Sequence, residues 1–235
     1  MRASIVSSGR LLKAAAEYHE DEGDREHYQN QQDEYTSKVL KAERDFFNSP
    51  ARLNDLLSVL RSWRATRFKD SDTIVPNVLR EWIPAHITPL KNISRRPLEN
   101  LRDEDFAQLK ALARDLSEKG IKPTCYGKTL AFLMPETALV WDDFVVRRLY
   151  EFKATPAEYA GYHRMVCKLA RALMHQEGVG IIREIERKHA EVANACEPFA
   201  KIVDELAYER AWILFACKEI RAWPCRAEAS RDRGA

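Results

Sequence analysis

Cysteine is scarce and unpaired in this chain. Cys125, Cys167, Cys196, Cys217 and Cys225 are odd in number, scattered, and contain no C-x-x-C pair. That spacing excludes a disulfide-stapled scaffold and offers no structural zinc or iron–sulfur set; reduced thiols in a cytoplasm fit it best. Glycine (8) and proline (10) are few in 235 residues, which favours long elements over many turns. No apolar run approaches the roughly 20 residues of a membrane span, and the start of the chain lacks the apolar core of a secretion signal. Net charge is only +2, so bulk electrostatics makes no case for nucleic acid and only a local basic face is left. There is no H-E-x-x-H, Walker loop or nucleophile elbow, no internal repeat and no clear alternating strand. Neither a metal nor a cofactor is expected.

What is present is ordinary for a globular protein: 45% hydrophobic and 31% charged residues. Apolar residues recur at helical spacing almost throughout. The class is therefore all-α, about nine helices in one compact domain, with seams near Arg95 and Phe152 that allow two lobes around a cleft. Residues 1–28 read as a peripheral, partly mobile segment, 29–225 as the helical domain, and 226–235 as a mobile charged tail.

Tyr35, Val39, Leu40, Phe46 and Phe47 predict a helix over about 29–48. Ser49-Pro50 opens the next, with Leu53, Leu56, Leu57, Leu60 and Trp63 inward and Arg52, Arg61, Arg64 and Arg67 on the other face. Val78, Leu79 and Trp82 mark a helix over about 75–83, which Pro84 and Pro89 are expected to break. Lys91 to Pro97 reads as a loop whose Arg95 and Arg96 either touch phosphate or simply connect. Asp103 is the expected cap of a helix that Gly120 ends. Thr155-Pro156-Ala157-Glu158 is a capping box with proline at the first helical position, opening a helix to about 176. Two more helices are expected, over about 181–195 and 198–223.

The stretch from Cys125 to Leu149, CYGKTLAFLMPETALVWDDFVVRRL, carries the candidate chemistry. A helix with Lys128 near its start, a turn at Met134-Pro135-Glu136 and an apolar run to Trp141 lead to a second helix opened by Asp142. The turn folds the two back on each other, which can bring an amine and a carboxylate 14 positions apart into one cleft. A helix start and aromatic neighbours favour a free amine. A carboxylate at a helix start stays ionised and can stabilise positive charge developing on a sugar. The same residues serve equally as a helix cap, Asp142, and a solvated lysine, Lys128.

The stretch GKTLAFLMPETALVWDDFVVRRL resembles the core of the helix–hairpin–helix DNA glycosylase superfamily, over about 110–150. The resemblance implies a helix–hairpin–helix glycosylase-like fold acting on DNA that carries a modified or damaged base. It makes Lys128 the Schiff-base nucleophile and Asp142 the assisting carboxylate, with Asp143 competing for that place. The target base would be flipped into a pocket, with Tyr126, Trp141, Phe144 and Trp82 as stacking or wedge candidates. Arg147 and Arg148 would hold phosphates. The family's hairpin reads as closely spaced glycines around a small apolar residue; here Gly120 and Gly127 lie seven apart. The implied activity is base excision, in repair or in defence against modified phage DNA. A non-catalytic DNA-binding or protein-interaction module on the same scaffold is the alternative.

Overall fold

The structure, a computed structural model, describes residues 7–9, 11–13, 16, 26–40, 50–63, 71–142, 146, 152–193 and 197–208. Among these, all regular structure is helical. The described residues form nine α-helices: α1 (Glu26–Tyr35), α2 (Pro50–Ser62), α3 (Ser71–Ala85), α4 (Ile87–Ser94), α5 (Asp103–Glu118), α6 (Pro123–Leu133), α7 (Pro156–Glu177), α8 (Ile181–Ala193) and α9 (Phe199–Tyr208). A π-helical turn, Thr36–Leu40, continues α1, and a 3-10 turn, Leu98–Asn100, precedes α5. The expectation of an all-α chain with helices of useful length is met.

Among the described helices, α5 and α7 make the broadest contact. Phe106, Leu109, Leu112, Ala113 and Leu116 of α5 are buried, as are Tyr159, Tyr162, Val166, Leu169 and Leu173 of α7, each set repeating every three or four residues. The 3-10 turn is tied to α7 by Arg171, which donates to the carbonyl oxygens of Glu99 (3.0 Å) and Leu101. Thr155 caps α7 as its sequence predicts: its hydroxyl accepts from the Glu158 amide at 3.2 Å, with Pro156 next in the chain. Gly120 closes α5 at φ +85°, a conformation that side chains disfavour.

The prolines behave differently from expectation. Helix α3 runs through Pro76 and on to Ala85, with Pro84 on the exposed side of its last turn. Pro89 is the third residue of α4, where an amide would have no intrahelical partner to lose. So 91–94, expected in a loop, is helical. The α5 cap also differs. Arg102 holds the N-cap position, and the Asp105 carboxylate, not Asp103, accepts its amide at 2.8 Å. Asp105 also pairs with Arg96. Its side chain is buried while Arg96 is a third exposed, so removing the carboxylate orphans one amide and lets the guanidinium rehydrate. Asp105→Ala is expected to cost about 2–3 kcal/mol, and Asp105→Asn clearly less, in urea unfolding of the two variants.

Candidate active site

Helix α6 is buried along all of Cys125 to Leu133. It stops at Met134, whose amide still bonds to the Leu130 carbonyl, and Pro135 follows. The chain turns there: the Thr137 and Ala138 amides both reach back to the Met134 carbonyl. The Thr137 hydroxyl fixes the turn by donating to the Arg96 carbonyl at 2.8 Å.

The apolar run Ala138, Leu139, Val140, Trp141 then crosses the core without a regular element of its own. Its backbone groups still need partners, and α7 supplies them through side chains. The Leu139 amide donates to Nε2 of His163 at 2.8 Å, and the Leu139 carbonyl accepts from the Tyr159 hydroxyl at 3.2 Å. Since Nε2 accepts, the proton is on Nδ1, which donates to the Tyr159 carbonyl at 2.8 Å. Full burial pushes the His163 pKa down to about 4, so the ring is neutral and the clamp is made at neutral pH.

Gly127 brings α6 against this run. A Cβ at Gly127 would sit 2.3 Å from the Cβ of Trp141, so only glycine allows the two backbones to lie this close. The residue after each partner of this contact is a candidate catalytic group. Lys128 Nζ and Asp142 Oδ2 are 4.0 Å apart. The Asp142 carbonyl accepts the Val146 amide at 2.8 Å. The amine and the carboxylate expected to converge are therefore together.

Their surroundings differ from expectation. Lys128 is only 5% exposed and Asp142 20%. Lys128 is the sixth residue of α6, past the first turn where the helix dipole acts. Its ammonium donates instead to the Trp63 carbonyl at 2.7 Å, just beyond the end of α2, where a helix favours positive charge. The Trp63 ring covers it at 5.7 Å and packs against Tyr35 (5.7 Å) and Phe132 (5.4 Å). A second buried lysine, Lys201 of α9, lies 4.9 Å from the centre of the same indole. Trp63 and Lys201 were missed by sequence reasoning. Trp63 read as one more apolar residue of the α2 stripe, and no local signal marks Lys201.

Tyr126, Trp141 and Trp82 face other side chains rather than a base pocket. Tyr126 meets Tyr159 edge-on, Trp141 packs on Tyr159 and Tyr162, and Trp82 stacks on His86. All three are buried, since large rings at core spacing contribute most by burial. Arg96 is committed to Asp105, while Arg95 is exposed. Both line an open groove of about 420 Å³ with Asn92, Glu104, Asp105 and Gln108. Asp143, Phe144, Arg147 and Arg148 lie outside the described residues. Burial pushes the Cys125 thiol up to about 11, so it offers no thiolate nucleophile at neutral pH. Among the described residues no three His, Cys, Asp or Glu side chains could hold a metal ion, and no helix is long and apolar enough to cross a membrane.

Compared with family models, with curated proteins and with solved structures, the chain matches none.

Proposed function

We propose that this protein is a DNA glycosylase that excises a damaged or modified base, with Lys128 as nucleophile and Asp142 as the assisting carboxylate. The observation that carries the reading is the 4.0 Å approach of Lys128 and Asp142, assembled by a turn and a glycine contact. An amine must lose a proton before it attacks, and a nearby carboxylate can take that proton. The free amine then bonds to the sugar anomeric carbon as the N-glycosidic bond breaks and the base leaves with the electron pair. Asp142 passes the proton on to the departing base, and the carboxylate so regenerated stabilises the positive charge on the sugar. The hairpin leading from α5 into α6 supports a DNA partner: Lys119, Gly120 and Lys122 are all exposed there. They are suited to a phosphate backbone approaching the start of the helix that carries Lys128.

On this reading Trp63 must swing away from Lys128 when DNA binds, since the resting amine is covered. That cover is also the observation that favours the second reading. A lysine held by a backbone carbonyl inside an aromatic cluster suits a helical DNA-binding or protein-interaction module in which Lys128 only ties α6 to α2.

Borohydride trapping separates the two. With DNA bearing an abasic site or a panel of modified bases, wild type is expected to form a covalent adduct and Lys128→Gln at least 100-fold less, while salt-sensitive DNA binding persists in both. Adduct in neither protein, with no base released across the panel, leaves the binding module. Asp142→Asn is expected to retain binding and lose base release.

A further inference from the structure

The proposed excision gives no task to the groove between the end of α4 and the start of α5, yet its chemistry is specific. Asn92, Arg95 and Arg96 line it from the α4 side, and Glu104, Asp105 and Gln108 from α5. Its volume of about 420 Å³ is room for a base and its sugar. The lining has no apolar side chain, so an apolar ligand finds no partner there. Asp105 is already used: one oxygen accepts from Arg96 and the other from the Arg102 amide. Arg95 is exposed and makes no hydrogen bond or ion pair with the described residues, and neither do the carboxamides of Asn92 and Gln108. The Glu104 carboxylate lies 3.9 Å from Arg96 and 3.6 Å from Arg102, too far for hydrogen bonds, so both its oxygens can accept.

We infer that this groove binds a guanine base, carried by a nucleotide or by a nucleic-acid strand. The groups on offer are a donor fork, Arg95, and an acceptor fork, Glu104. Guanine sets two acceptors, N7 and O6, beside two donors, the N1–H and the 2-amino group. A guanidinium matches the first edge and a carboxylate the second. Adenine has no N1–H and would turn a lone pair towards the carboxylate. The carboxamides of Asn92 and Gln108 both donate and accept, which suits sugar hydroxyls. The formal charges of the groove cancel, two guanidinium groups against two carboxylates, so a phosphate gains little by entering and stays in solvent. The groove thus reads a base rather than gripping a backbone. Neither Lys128 nor Asp142 takes part, so the inference does not rest on base excision.

The test is an NMR titration of the full chain, read at the side-chain amide signals of Asn92 and Gln108. The ligands are guanosine, inosine and adenosine monophosphates and inorganic phosphate. The guanine nucleotide is expected to move both signals and to bind about tenfold or more above the adenine one. Inosine monophosphate, which lacks the 2-amino group, is expected between them, and phosphate to leave the signals in place. Arg95 and Glu104 are exposed and make no hydrogen bond, so Arg95→Ala and Glu104→Gln should fold as wild type does. Each is expected to bring the guanine nucleotide down to the level of the adenine one. A thymine oligonucleotide with a single guanine separates the sources. Binding no tighter than the free nucleotide assigns the nucleotide. Binding about tenfold tighter, lost when that guanine becomes adenine, assigns a strand. Equal movement by the adenine nucleotide or by phosphate overturns the inference, since Arg95 would then hold any anion. So does an unmoved pair of signals with every ligand, the oligonucleotide included, or an unchanged guanine affinity in the two variants.

Discussion

Alanine at Gly127 is expected to destabilise the fold by about 3 kcal/mol or more, the upper end of what overpacking costs. The new methyl would lie 2.3 Å from Trp141 Cβ, 3.0 Å from its amide nitrogen and 3.1 Å from its Cα. These are backbone and first side-chain atoms, which cannot rotate aside. The Trp141 ring is fully buried on Tyr159 and Tyr162, so the residue cannot retreat as a whole. Glycine to alanine inside a helix gains at most about 1 kcal/mol of propensity, so the clash dominates. Gly180→Ala, with open space around its Cβ, is the control and is expected to stay within about 0.5 kcal/mol of wild type. Urea unfolding of both decides. Wild-type stability in Gly127→Ala would mean that α6 and the run 138–142 do not touch as described. In the surviving folded fraction the run should be displaced from α6, taking Asp142 away from Lys128.

Acid should act on the other side of the same run. His163 binds a proton at about 4 in the folded chain against 6.5 when unconstrained. Between those values the unfolded chain holds more protons than the folded one. Stability is therefore complete above about 6.5, falls as pH drops, and the loss ends below about 4. A gap of this size is worth about 3 kcal/mol, a large part of the 5–15 kcal/mol of an ordinary domain. His163→Gln removes this group's slope. Its amide can imitate at most one of the two clamp bonds, so a lower plateau is expected with it. Unfolding free energies of wild type and variant between pH 4 and 7.5 should converge as pH falls. Parallel curves would mean that another group titrates.

The local features of the fold were legible because each is written in adjacent residues. Thr155 capped α7 with Pro156 next as read, although the Thr155 amide goes to the Lys153 carbonyl rather than to Glu158, and Gly120 ended α5. The leucines of α2 and α5 faced the core as their period required. Misreadings arose where a residue's meaning lies elsewhere. Proline at 89 breaks nothing because α4 had only just begun. Asp105 beat Asp103 to the cap because Arg96, nine residues earlier, makes it the better-paired carboxylate. At the candidate site, the proximity of Lys128 and Asp142 followed from one turn between two elements. The depth of Lys128 did not, because its carbonyl partner is 65 positions away. Nor did the burial of Tyr126, Trp141 and Trp82: an aromatic residue in a sequence has no label separating a core ring from one that awaits a base. The clamp on Leu139 was equally silent, since a histidine that serves a backbone amide has no neighbouring motif.

The indole shared by Lys128 and Lys201 has a consequence for the order in which the molecule is made. Helix pairs such as α8 with α9 join neighbours in the chain, so they can form early and cheaply. The Trp63 cluster instead joins α1, α2, α6 and α9, and each of its closures ties off a long stretch of chain. During synthesis, α1, α2 and α6 all emerge before Lys201 exists. No fragment that stops short of α9 holds the finished cluster, and the candidate site belongs to the whole chain rather than to the 25 residues that first suggested it.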